Sequence, residues 1–336
     1  MRQCHKHIGM QPTAVWDVLF LILPDSLILD WAGPAEALRM ANQCMRQRGL
    51  PEPFRMQFIS PSGEASSSVG AMIAGLAPLP AKLENPTWVV LLGQPGQTIR
   101  MDTSAMRAAQ HWLQSLKLET GRTELVTVCA GTILAAHAGL LTGKHATTHH
   151  QHLDELQAAA PSCQVVSNRV FVCDAPVYSS AGVTTGIDLF LYRIAQVCGP
   201  AVAAQVAQTL VLAMRRGPHD PELSPFLAYR HHMHPALHQV QDAVSHHPAQ
   251  DWTVPAMAAM AHTSPRNLTR LFTDHAGVAP LGYLRQIRLA VAAAALRSGR
   301  NVTQAAAQAG FSSDTQLRRA WSHFGYAGTP SQPDLP

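Results

Sequence analysis

No run of the sequence is apolar for the roughly 20 residues that a membrane-crossing helix needs, so the chain is not expected to span a bilayer. The six cysteines (Cys4, Cys44, Cys129, Cys163, Cys173 and Cys198) form no C-x-x-C pair and no zinc-finger spacing. Charge is scarce: charged residues are 14% of the chain against 47% apolar, and the net charge is +4. That balance is globular and not disordered, and it does not by itself mark a nucleic-acid binder. The opening stretch MRQCHKHIGMQPTA is basic but lacks the apolar core of a signal peptide. WDVLFLIL after it is short and ends at Pro24-Asp25, which suits a buried strand. The expectation is a cytoplasmic protein whose cysteines are thiols.

A chain of 336 residues is long enough for two domains, each with its own core. Short apolar runs at 18–23, 54–60, 87–93, 124–128, 170–174 and 177–181 read as strands. Between and after them lie helical stretches at about 32–47 (starting near Gly33-Pro34), 103–117, directly after Cys129, 183–197 and 200–214. Strands alternating with helices predict an α/β domain over 15–215 with a mostly parallel sheet and helices on both faces. Near-continuous apolar strands fit burial on both sides. Four prolines without sustained periodicity make 216–235 the expected linker.

From Pro235 onward there is no Lys and no Glu, and eight Arg face five Asp. Strand-like runs give way to Ala- and Leu-rich helical stretches, so an all-α domain is expected over 236–331. It contains a repeat. MAAMAHTSPRNLTRLFTDHAG (257–277) and AAAQAGFSSDTQLRRAWSHFG (305–325) each run from a small-residue helix through a turn and a Ser N-cap into a second helix. Ser264 and Ser313, Leu268 and Leu317, and Arg270 and Arg319 are each 49 positions apart. Leu268, Leu271 and Phe272 share one face of the first unit, and Leu317, Ala320 and Trp321 one face of the second. Arg266, Asn267, Arg270, Thr315, Gln316 and Arg319 are left facing out. Arg can read guanine with two hydrogen bonds, and Asn or Gln can pair with adenine, so these six are the expected DNA contacts. Arg285, Arg288 and Arg318 are expected at the DNA backbone or in solvent.

On Ser264-Pro265-Arg266-Asn267-Leu268-Thr269-Arg270-Leu271-Phe272, Gly277, Pro280, Ala309-Gly310-Phe311-Ser312-Ser313 and Arg319-Ala320-Trp321, the C-terminal half resembles the AraC family of bacterial transcription regulators. The resemblance covers about 236–331 and implies two helix-turn-helix units, joined by a long helix over about 279–298, entering successive major grooves. Trp321 stands where Phe is usual, and Gly325 arrives one residue earlier than its counterpart Gly277.

The first half resembles the PfpI and isocyanide-hydratase branch of the glutamine-amidotransferase-like superfamily. The matching residues are Leu29 to Glu36, Val128-Cys129-Ala130-Gly131, Ala138 to Leu141, Ala146-Thr147-Thr148-His149, Ser180-Ala181-Gly182-Val183 and Gly186-Ile187-Asp188. The order of the two domains resembles the GlxA-type regulators. A flavodoxin-like sheet is implied, with Cys129 on a strand-to-helix elbow. A helix N-terminus there favours thiolate and nucleophilicity. The resemblance brings Asp30 near Cys129, and His149 could complete a triad. Ala130, however, stands where the peptidase branch has His and the hydratase branch usually Thr. No catalytic residue is therefore assigned. Cys129, Asp30 and His149, with Gly93 and Ala130, are read as a ligand pocket inherited from enzymes.

His145, His149, His150 and His152 have no carboxylate or cysteine partner at clear ligand spacing, so no metal and no cofactor is expected. The resemblance implies an activator with promoter DNA, a small-molecule effector, a second copy of the chain and RNA polymerase as partners. Two alternatives remain open at this level: a cysteine-dependent PfpI- or hydratase-type enzyme fused to a DNA-binding domain, and a non-specific DNA-binding scaffold.

Overall fold

The computed structural model describes residues 15–212, 216–218, 220–326 and 328–333; Cys4 lies outside them. The chain divides into two compact units, one ending at Glu222 and the other beginning at Leu223.

The first unit is built on six strands: β1 (Trp16–Leu21), β2 (Phe54–Ile59), β5 (Thr87–Leu91), β6 (Thr123–Val128), β9 (Phe171–Asp174) and β10 (Val177–Ser180). β3 (Glu64–Ser66) and β4 (Met72–Ala74) form a small antiparallel hairpin between β2 and β5. The main sheet runs in the order β2-β1-β5-β6-β10-β9, parallel except for the antiparallel edge pair β10–β9. β5 and β6 are buried at every position, as their unbroken Val/Leu/Thr runs require of central strands.

The order reverses between β1 and β5. Right-handed crossovers therefore put α1 (Ile28–Gln47) on one face, and α2 (Ser104–Gln114) and α3 (Gly131–His137) on the other. α1 packs against α5 (Thr184–Cys198) and α6 (Pro200–Thr209), and α2 against α3. A short pair, β7 (His145–Ala146) and β8 (Gln164–Val165), brackets α4 (Leu153–Ala159).

Three boundaries differ from expectation. α1 begins at Ile28, not near Gly33-Pro34, and carries Pro34 inside it. Pro34 has no N–H for the carbonyl four residues back, that of Asp30, but the extra turn delivers Asp30 to the sheet end. α6 stops at Thr209 and not at 214, because Val211 adopts a left-handed φ of 54°. The segment 216–235 is not a free linker. Arg216 donates from its main-chain N–H and Nε to Asp188, and Val170 N–H bonds the Asp220 carbonyl, so its first part belongs to the α/β unit. Residues Pro225–Ala228 form α7, and Tyr229 bonds Gln286 in the second unit. Asp188 of the Gly-Ile-Asp motif thus anchors the chain that follows α6.

The second unit contains α8 (Pro235–His246), α9 (Val254–Met260), α10 (Pro265–Ala276), α11 (Pro280–Arg297), α12 (Val302–Ala309) and α13 (Asp314–His323). A two-residue hairpin, β11 (Gly328–Thr329) with β12 (Gln332–Pro333), departs from the all-α expectation. The unit has two cores, and α11 serves both. Tyr283, Leu284 and Ile287 pack with Leu268 and Phe272, while Leu289, Ala292 and Ala293 pack with Leu317 and Trp321.

Candidate functional site

The parallel strands β1, β5 and β6 end side by side where the sheet order reverses, the position at which open α/β sheets form a crevice. Asp30, Gly93 and Cys129 follow those three strands, and the structure brings them together. Gly93 N–H donates to Asp30 Oδ2 at 2.9 Å, and Val183 N–H donates to Oδ1 at 2.9 Å. A Cβ on Gly93 would lie 2.8 Å from both Asp30 Oδ2 and Cys129 Cβ. One on Gly182 would lie 2.3 Å from Cys129 Cβ. Only glycines let these loops close on the cysteine.

Cys129 sits on the elbow at φ 56°, and Val183 is also left-handed at φ 52°. For non-glycine residues this is strained backbone, which persists because the surroundings over-determine it. Cys129 N–H bonds the Ser180 carbonyl, and its own carbonyl accepts from the Thr148 hydroxyl at 2.9 Å. Beneath the elbow Thr127 and Thr132 share a 2.7 Å hydroxyl contact, and Thr132 also reaches the Thr147 carbonyl. These buried bonds hold the 146–149 strand end against the elbow.

The electrostatics correct the expected thiolate. Burial pushes the Cys129 thiol far above its ordinary range, and the Asp30 carboxylate and Glu222 push it further. The Ala130 N–H opposes them but does not prevail. α3, only seven residues long, leaves the site a protonated thiol. Asp30 itself rises from 3.8 to about 6, because burial outweighs its two backbone donors. A folded-state value above the unfolded one means the associated stability is fully present below pH ~4 and is lost as pH rises through ~6. At pH 7 Asp30 is mostly ionised, at a cost of up to about 3 kcal/mol. Asp30→Asn should therefore gain on the wild type by up to that amount between pH 4 and 7.5 in denaturant titrations. A gap that stays constant with pH would refute this.

Among the described residues no hydrogen bond joins His149 to Cys129. Its ring lies 4.2 Å from that of His150, and burial with the neighbouring His150 and His152 lowers its pKa to about 4. His150 Nδ1 is 2.9 Å from Glu222 Oε1, a partner 72 residues away. Sequence reading missed this carboxylate because no spacing rule spans such a gap. It also missed the Val183 N–H; a Gly before a β-branched residue at a strand end was the available signal.

In the second unit, the Ser264 and Ser313 side chains cap α10 and α13 by accepting from Asn267 N–H and Gln316 N–H. Of the six expected DNA contacts, Arg266, Thr315 and Arg319 are exposed with no protein partner among the described residues. The other three are pre-engaged. Asn267 Nδ2 donates to Thr263 and its Oδ1 accepts from Arg270, which also reaches Asp274. Gln316 Oε1 accepts from Ser312, and its amide donors have no partner among the described residues. Arg285, Arg288, Gln316 and Arg319 line a groove of about 470 Å³ within this unit. Arg288 is half-buried and partly engaged within the unit: its guanidinium donates to the carbonyls of Pro248 and Gln250.

Family models match the DJ-1/PfpI family over residues 17–196 and a helix-turn-helix domain over residues 257–332. The HTH-type transcriptional regulator CdhR of Pseudomonas aeruginosa is 30% identical over 94% of this chain and 90% of its own length. The regulator GlxA of Rhizobium meliloti is 28% identical over 93% of each. Among solved structures, a ThiJ/PfpI family protein from Pseudomonas syringae aligns with a TM-score of 0.52 at 17% identity, over 78% of this chain and 97% of that one. An AraC family transcriptional regulator from Pseudomonas putida aligns at 0.50 and 17% identity, over 58% of this chain and 99% of that one, and these two likenesses show the fold. No helix is long and apolar enough to cross a membrane among the described residues. With a DJ-1/PfpI domain over its first half and an AraC-type helix-turn-helix domain after it, the chain belongs to the DJ-1/PfpI family and to the HTH-type transcriptional regulators.

Proposed function

We propose that the α/β unit is a receptor for a small effector and not an enzyme, and that the α-helical unit reads promoter DNA through α10 and α13. The observation that carries the first half is the setting of Cys129: it is buried, closed over by Gly93 and Gly182, and followed by Ala130, which offers no side-chain donor or base, while burial and the Asp30 carboxylate work against a thiolate. Asp30, Gly93, Cys129 and Ala130 meet at the strand ends where an effector would bind, and His149 follows the short strand β7. The DNA reading rests on two Ser-capped helices that present Arg266, Thr315 and Arg319 to solvent. Activation of a neighbouring operon from the cytoplasm, as a homodimer acting with RNA polymerase, completes the proposal. It follows from family likeness.

Effector binding must favour one of two states of the regulator to change transcription. Cys129→Ser is expected to keep promoter regulation, and the wild type to show no hydrolase, hydratase or deglycase turnover. Loss of regulation in Cys129→Ser together with turnover by the wild type would establish the enzyme instead. A promoter footprint that survives competitor DNA at physiological salt separates this reading from non-specific binding, which weakens steeply with salt.

A further inference from the structure

Outside the crevice floor, the densest group of potential ligand atoms is formed by His149, His150 and Glu222. One ligand atom from each lies within 4.8 Å of the others. Two histidines from adjacent positions and a carboxylate from the end of the same unit converge on one point. We infer that these three residues form a binding site for a divalent first-row transition ion of the zinc class.

The donor set argues for that class. Imidazole suits zinc, nickel and cobalt, and a carboxylate adds charge without demanding the many oxygens that calcium or magnesium require. Ligands sharing one tetrahedral ion at ~2.1 Å stand roughly 3.4 Å apart, so the observed cluster needs only small side-chain rotations. The His150 side chain is 39% exposed and free to make them. Glu222 is buried, its side chain 6% exposed, and both the N–H and Nδ1 of His150 meet its Oε1. Among the described residues His150 is the sole hydrogen-bond partner of this buried carboxylate, and both of those bonds go to Oε1, which leaves Oε2 for an ion.

The surroundings fix two of the ligands. Thr148, directly before His149, is pinned to the Cys129 carbonyl. Glu222 closes a segment that Asp188 and Val170 hold on the α/β unit. Three protein ligands leave a coordination position open beside the elbow. Glu222 is also the last residue of its unit, so an ion would fasten the chain where the DNA-binding unit begins. The inference goes beyond the effector reading: it is tested without DNA or effector, and either can fail alone.

The test is calorimetric titration of ZnCl2 into the full-length, chelator-treated protein, repeated with CoCl2 while recording visible absorption. The chain carries 18 histidines, so the readout is the difference between variants. His150→Ala should lose one equivalent of ion and the Co2+ absorption that goes with it. Glu222→Gln should weaken that equivalent at least ~10-fold, since it removes the ligand charge but not its shape. In EDTA Glu222→Gln should melt close to the wild type because it is isosteric, whereas His150→Ala should melt lower, since it leaves the buried Glu222 carboxylate without its side-chain partner, so ion binding is read well below both melting temperatures. Unchanged stoichiometry and affinity in either variant would overturn the site.

Discussion

The double substitution Arg266→Ala/Arg319→Ala should weaken binding to the promoter site by between ~30-fold and ~10⁴-fold. An arginine that reads a base contributes ~1–3 kcal/mol. The two residues sit on different helices and touch no common partner, so their losses should add. Each helix is capped and packed independently, Leu268 and Phe272 in one core and Leu317 and Trp321 in the other, so the variant should fold normally. Anisotropy titration of a labelled promoter fragment measures the loss, and a competitor of random sequence sorts its origin. Base contacts would lower the ratio of specific to non-specific affinity; phosphate contacts would lower both and reduce the salt slope by ~1 per residue. A loss below threefold would remove α10 and α13 from the interface. Asn267→Ala should do less, since its amide is already bonded to Thr263 and Arg270.

The helix-turn-helix pair was legible because its signals are local. A Ser cap, apolar residues at helical spacing and a 49-residue repeat need no tertiary information, and α10, α11 and α13 lie where they point. The central strands were legible for the same reason, since β5 and β6 are apolar along their length. What local pattern could not show was convergence. Pro34 reads as a helix start, yet the helix begins six residues earlier, at Ile28, and so carries Asp30 in its first turn at the sheet end. The 64–74 hairpin is only three residues per strand and carries no alternation long enough to detect. The elbow cysteine was found, but its ionisation was misjudged. A helix N-terminus favours thiolate, whereas burial and the Asp30 charge favour the thiol, and only the fold shows how much burial there is. Glu222 is the extreme case: nothing near it in the chain marks it as the partner of His150.

Gly131→Ala should cost the α/β unit at least ~3 kcal/mol, well above an ordinary glycine replacement. A Cβ there would stand 2.5 Å from the Leu91 carbonyl oxygen, 2.6 Å from its carbon and 2.8 Å from Leu92 N. All three are backbone atoms at the end of β5, in the middle of the sheet, and cannot swing aside as a side chain would. The start of α3 must lift instead. It carries Thr132, whose hydroxyl ties β6 to the 147 strand end, and Ile133, which is wholly buried. Moving it loosens the support under Cys129 and the loop that holds His149. Gly63→Ala is the control: nothing lies within 4 Å of its Cβ, and no left-handed backbone opposes it, so it should be neutral or slightly stabilising. Denaturant unfolding followed by Trp fluorescence, with Trp16, Trp31, Trp88 and Trp112 in the α/β unit and Trp252 and Trp321 in the other, reports both units. In Gly131→Ala the transition of the first unit should move to lower denaturant. That of the second, which has cores of its own, should stay in place. Equal midpoints for Gly131→Ala and Gly63→Ala would mean that the elbow can yield at α3, and that the close approach to β5 does not hold Cys129 in its strained conformation.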